Sequence, residues 1–241
     1  MTNSHATSRT QLLRSAQRLC AQVGGIFAVI FVLITALVAS GATAQWDLSI
    51  TEGVVAHRNA FFNAIFPVIT SFGGTTVVMI LAAVSLGILA FKRRWLQVKI
   101  LFGALAGDVI IVTAIKRAMS RLRPDASFWL GTVEDQQSFP SGHSANNTVL
   151  WLTLAIIVVS LATTEVQRKW ARAFSIFAVI LPVLIGISRV YVAQHWVTDV
   201  LGGWSLGIAW TALVAWVYYA QLAKLYAHKP MSSPRLSPSQ S

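Results

Sequence analysis

Apolar runs broken by short polar and charged stretches set the organisation of this chain. The runs cover roughly residues 24–43, 75–91, 98–114, 145–162, 174–187 and 200–219, and the longest reach the ~20 residues a helix needs to cross a bilayer. The first could imitate a secretory signal, since Ala42-Thr43-Ala44 resembles a cleavage site, but its length favours a retained helix. Between the first two runs the chain is mixed: Ile50, Val54, Phe61, Ile65 and Ile69 recur at helical intervals beside Asp47, Glu52, His57 and Arg58. This predicts a helix or two along the membrane interface, closed by Gly73 and Gly74. Such a segment can wall or gate a lipid's path to a site, or simply connect two spans. Pro182 in the fifth run is tolerated as a kink. In the sixth, Gly202, Gly203, Ser205 and Gly207 permit close helix packing, with Trp204, Trp210 and Trp216 as packing and interface anchors.

The expected fold class is therefore all-α: a polytopic membrane protein, a six-transmembrane-helix bundle with an interfacial helical segment between spans 1 and 2. Its parts are a polar tail over residues 1–22, a membrane domain over 23–228 and a disordered tail over 229–241. Composition agrees, because 55% hydrophobic and 11% charged residues with a mean hydropathy of +0.64 lie outside the range of soluble domains.

A net charge of +11 would suggest nucleic acid in a soluble protein. Here most Lys and Arg residues fall in the N-terminal tail, the 92–99 loop, the 168–172 loop and the end from Lys224 onward. These segments alternate with the spans as cytoplasmic segments should, so nucleic acid is not an expected partner. Both termini are then expected on the cytoplasmic side. The single cysteine, Cys20, excludes an intrachain disulfide and a cysteine-based zinc site.

The remaining charges fall where the bias does not explain them. Asp108 sits at membrane depth, two turns before Lys116, and is either functional or a carboxyl group bonded to a neighbouring helix. Residues 115–139 carry Lys116, Arg117, Arg121, Arg123, Asp125, Glu134 and Asp135 on what alternation makes the outer side. Basic residues kept there against the bias suggest a bound anion.

Three segments meet at that face: Lys116 to Pro124 (KRAMSRLRP), Pro140 to His143 (PSGH) and Ser188 to Asp199 (SRVYVAQHWVTD). A transferring phosphoryl group spreads charge over its oxygens, and Lys116, Arg123 and Arg189 can meet it with three cations. Gly142 and the helix start at PSGH, with the Ser141 hydroxyl, can cradle an anion, although Ser141 can also be a plain helix cap. One helical turn separates His195 from Asp199, so the carboxylate can orient the ring and leave its other nitrogen nucleophilic. The same pair can instead be a stabilising contact. His143, among the loop's carboxylates, is the candidate to protonate a leaving oxygen. His57 reads as surface, and His5 and His228 lie in polar tails.

K-x6-R-P, P-S-G-H and S-R-x5-H-x3-D, in this order, resemble the three-part signature of the type-2 phosphatidic acid phosphatase superfamily, which also includes vanadium haloperoxidases. The match has no departure at any signature position, and the six-span layout is similar to the family's small bacterial lipid phosphatases. The resemblance implies that Lys116, Arg123 and Arg189 hold phosphate, with Ser141 and Gly142 adding hydrogen bonds. It also implies that His195 attacks phosphorus to form a phosphohistidine, held by Asp199, while His143 protonates the leaving group and then activates water. It implies no metal and no cofactor. The expected activity is removal of a terminal phosphate from a lipid phosphate or diphosphate, with undecaprenyl diphosphate or phosphatidylglycerophosphate favoured, then phosphatidate and lipid A phosphates. Two other readings remain. A transporter or channel could use Asp108 and the outer basic cluster, and a vanadate-dependent haloperoxidase would share the same residues.

Overall fold

The computed structural model describes residues 2–132 and 135–227, with side chains from residue 10. All of the longer elements are helices: α1 (Thr2–Ala39), α2 (Ala44–Ala56), α3 (Ala60–Phe72), α4 (Thr75–Phe91), α5 (Trp95–Met119), α6 (Gly142–Leu161), α7 (Glu165–Tyr191) and α8 (Val197–Ala227). Five of them, α1 and α5 to α8, are long and apolar enough to cross a membrane. A sixth candidate is a pair, a broken span or a re-entrant loop: α3 and α4 together meet the same length and composition, bent by 43° at the Gly73-Gly74 break.

Helix ends are set by polar groups that the apolar pattern does not report. Thr164 caps α7 with a capping box, accepting from the Gln167 amide while the Gln167 side chain accepts from the Thr164 amide. The helix therefore begins in a charged stretch, and Arg168, Lys169 and Arg172, expected in a loop, lie in the first turns of α7. Residues 2–22 likewise continue helically into the first span. Asn59 caps α3 through the Phe62 amide at 3.1 Å. α5 ends at Ser120, in the left-handed region with φ 46°. The tail over 229–241, expected to be disordered, lies outside the described residues, as do His228, Val133 and Glu134.

α6 is the most enclosed helix, flanked by α5, α7 and α8, and α1 lies along α8. Glycine makes the α6–α8 contact possible. A Cβ at Gly203 would lie 2.6 Å from the Ser141 carbonyl oxygen, and one at Gly207 2.8 Å from Thr148, distances a real side chain does not tolerate. Two of the tryptophans pack as expected and satisfy their N–H groups, Trp204 on the Pro182 carbonyl at 3.1 Å and Trp210 on that of Ala104 at 2.8 Å. Trp216 is partly exposed. Helix direction brings the end of α5, the start of α6, the end of α7 and the start of α8 to one end of the bundle, where α2 and α3 also pack.

Candidate active site

At that end lies a cavity of about 470 Å³ lined by Lys116, Arg123, Gly142, His143, Arg189 and His195. α3 and the α3–α4 break contribute Pro67, Thr70, Ser71, Gly73 and Gly74, and α5 contributes Val109, Val112 and Thr113. One side of the cavity is thus charged and another is built from helices with apolar outer faces. The segment between spans 1 and 2 supplies part of this wall.

His195 is 1% exposed, in the bend between α7 and α8. Its amide reaches the Arg189 carbonyl at 3.3 Å, which fixes the turn that follows α7. The ring Nδ1 lies 3.4 Å from Asp199 Oδ2, and Nε2 lies 3.0 Å from Arg123 Nη1. A guanidinium cannot accept, so Nε2 presents its lone pair and the proton sits on Nδ1, towards Asp199. Burial, and then the charges of Arg123, Arg189 and Lys116, push His195 well below the ordinary histidine value of 6.5. The ring is neutral, with its Nε2 lone pair at the cavity wall.

Asp199 is fully buried behind it. Its Oδ2 accepts from the Trp196 amide at 2.9 Å and its Oδ1 accepts from Arg121 Nη1 at 2.7 Å. The other arm of Arg121, Nη2, donates to Asp47 Oδ2 at 2.7 Å. Asp47 lies in the first turn of α2, is also fully buried, and further accepts from the Thr198 amide and hydroxyl. Asp47, Arg121, Asp199 and His195 form one chain of contacts from α2 to the cavity. The sequence reading placed Asp47 and Arg121 among undifferentiated charges. A carboxylate in a helix that follows a span by four residues was the only available signal.

PSGH opens α6 as expected, but its members part company. Ser141 is fully buried, accepts from the Ser144 amide and hydroxyl, and does not line the cavity, so it sits as the helix cap rather than as a wall of the cradle. Gly142 and His143 do line it, and their amides belong to a first turn without intrahelical partners. Asn147 ties this start to the α3–α4 break, donating to the Gly73 carbonyl at 3.0 Å and that of His143 at 2.9 Å.

Of the cations, Arg189 donates to Thr70 Oγ1 at 3.0 Å. Lys116 reaches the Gln137 carbonyl and the Asp135 carboxylate, and Arg123 donates to both the carbonyl and the carboxylate of Asp135. Asp135, one of the loop carboxylates expected around His143, lines the same cavity as His143 and bonds to Lys116 and Arg123. Burial works to raise its carboxyl group, but the bonds and charges of Arg123 and Lys116 outweigh that and hold it below the usual carboxylate value. Asp108, 1% exposed, lies outside the cavity wall. Asn146 on α6 satisfies its surroundings when its amide nitrogen faces Asp108 Oδ2, at 2.9 Å, so this carboxyl group bonds to a neighbouring helix. His57 is exposed, as expected.

Known proteins are similar to this chain. Phosphatidylglycerophosphatase B of Bacillus subtilis is 31% identical over 74% of this chain and 86% of its own length. An undecaprenyl-diphosphatase of Sulfolobus acidocaldarius is 31% identical over 44% of this chain and 48% of its own. The crystal structure of a transmembrane PAP2-type phosphatidylglycerolphosphate phosphatase from B. subtilis superposes with a TM-score of 0.69 at 30% identity, covering 80% of this chain and 94% of that one. The model of the PAP2 superfamily matches residues 97–223, a stretch that holds every residue of the three charged segments. A chain that carries those segments in order, folds them around one cavity and matches at this length belongs to the PAP2 superfamily.

Proposed function

We propose that this protein is a lipid phosphatase that removes the terminal phosphate from a membrane-borne lipid phosphate or diphosphate, phosphatidylglycerophosphate first and undecaprenyl diphosphate next. The observation that carries this reading is the single cavity holding three cations and two histidines beside walls from α3 and α5. Such a site binds a phosphate group while its lipid stays in contact with apolar helix surface.

In the proposed reaction Lys116, Arg123 and Arg189 bind the phosphoryl oxygens, with the amides of Gly142 and His143 at the helix start. His195 Nε2 attacks phosphorus; the P–N bond forms as the bond to the leaving oxygen breaks, and His143 gives that oxygen its proton. His143 then takes a proton from water, which attacks phosphorus, breaks the P–N bond and returns His195 to its neutral form. Asp199 holds Nδ1–H throughout. Arg123, whose Nη1 faces Nε2 at 3.0 Å, transfers that donor to a phosphoryl oxygen. No step needs a metal.

The membrane proposed is the bacterial inner membrane, with the cavity on its outer side and both termini in the cytoplasm. Lys92 to Arg94, Arg168 to Arg172 and Lys224 fall at helix ends opposite the cavity, which supports this orientation.

The test is phosphate release by the purified protein from phosphatidylglycerophosphate, undecaprenyl diphosphate, phosphatidate and a soluble phosphomonoester, with and without a chelator. Release from one lipid, unchanged by chelation, is expected. Strict dependence on magnesium would contradict the mechanism.

The pH dependence carries a second expectation. Because the pKa of His195 is depressed, the neutral nucleophile persists as pH falls through 6.5. The acid limb of kcat/KM, corrected for ionisation of the substrate phosphate, should therefore lie below that value. An acid limb at or above 6.5 would mean that another group controls the rate.

A further inference from the structure

Among the described residues Asp135 is the carboxylate that lines this cavity, and it differs from the two behind the site in its exposure. Asp199 and Asp47 are fully buried, whereas the Asp135 side chain is 51% exposed and reaches down from the cavity mouth onto two cations that are themselves mostly buried, Lys116 at 12% and Arg123 at 7%. The contacts are those a phosphate would want. Arg123 Nε donates to the Asp135 carbonyl and Nη2 to Oδ1, both at 2.7 Å, so one residue occupies the two-donor edge by which guanidinium groups grip oxyanions. Lys116 Nζ lies 3.3 Å from Oδ2 of the same carboxylate.

We propose that Asp135 is an intramolecular competitor for phosphate: its carboxylate and the phosphoryl group occupy Lys116 and Arg123 in turn, and the exchange sets how tightly the site holds its product. The inference rests on the phosphatase reading above and deepens it. A phosphate binding these two cations displaces the carboxylate, and because Asp135 already meets water at the mouth, leaving costs it little desolvation. Asp199 and Asp47 have no such exit. On product release the carboxylate returns, keeping two like charges compensated in a site with little water. Without it, phosphate would hold Lys116 and Arg123 unopposed, and turnover would slow at the release step.

The experiment measures inhibition of phosphate release by inorganic phosphate, and thermal stabilisation by inorganic phosphate, in the parent and in Asp135→Asn, with Asp135→Ala and Asp135→Glu alongside. Asn keeps the shape and removes the charge. Tighter phosphate binding by about tenfold, or about 1.4 kcal/mol, is expected in Asp135→Asn and Asp135→Ala by both readouts, with affinity moving back towards the parent in Asp135→Glu. A tightened Ki is a gain that loop damage does not produce. If the parent releases and binds phosphate but the Asn and Ala variants bind it equally or more weakly, Asp135 is not a competitor and the phosphatase reading stands. If the parent neither releases phosphate from lipids nor binds it, the phosphatase reading falls and this inference with it.

Discussion

Replacing His195 by alanine is expected to lower phosphate release by on the order of 10⁴- to 10⁶-fold, the range in which removing the nucleophile places enzymes with covalent intermediates. The reason is specific to this geometry. His195 Nε2 is the nitrogen that presents a lone pair at the cavity wall, while its Nδ1 faces Asp199. Water cannot take its place, because the attacking group must be fixed opposite the leaving oxygen before the cations engage the phosphoryl group. The substitution leaves those cations where they are. Asp199 keeps its bonds from Arg121 and the Trp196 amide, so inorganic phosphate should still bind with an affinity close to the parent's. Loss of turnover with retained phosphate binding is the diagnostic pair. A variant that keeps more than about a tenth of the parent rate would remove His195 from the nucleophile's role. Transport activity that survives the substitution would point to the transporter reading instead.

The spans were legible because burying apolar surface in lipid leaves a one-dimensional trace: runs of about 20 residues with few charges. Their ends were not. α7 runs from Glu165 to Tyr191, well beyond the apolar residues 174–187, because a capping box starts it among polar side chains. α3 was read as part of an interfacial segment able to wall a lipid's path, and it does line the cavity; that it pairs with α4 at a 43° bend was not legible. The signature segments could be found since each concentrates polar groups within a few residues of an apolar run. Asp47 could not be paired with Arg121, because the two lie 74 residues apart and only the packing of α2 against the start of α8 brings them together. Asp135 was visible as a charge, but nothing in the order of residues says which cation a loop carboxylate will face. Arg58 is a similar case: its guanidinium donates to the Tyr191 and Phe128 carbonyls, fastening the α2–α3 turn to the end of α7.

Arg121, which touches neither the cavity nor any atom of the proposed reaction, should give the second largest effect. Among the described residues it is the positive charge bonded to Asp199, and it bridges Asp199 to Asp47 with two bonds of 2.7 Å. Removing it leaves two fully buried carboxylates facing each other without a cation, which costs stability by about 3–5 kcal/mol. The same change frees Asp199 to rotate from His195 Nδ1, and a misplacement of about 1 Å at such a contact lowers kcat by about 10²-fold. Arg121→Ala should therefore show both losses. Arg121→Lys separates them, since an ammonium restores a charge but cannot span both carboxylates with one planar fork. Its Tm should recover most of the deficit while kcat stays low and KM moves less. Asp47→Asn works from the other end: the Arg121 bond to Asp199 survives, so kcat should fall only slightly. If Arg121→Lys instead returns both Tm and kcat to the parent values, charge alone is sufficient at this position. Asp199 would then be positioned by the Trp196 amide at 2.9 Å, and the contacts reaching into α2 would hold the fold together without aligning the nucleophile.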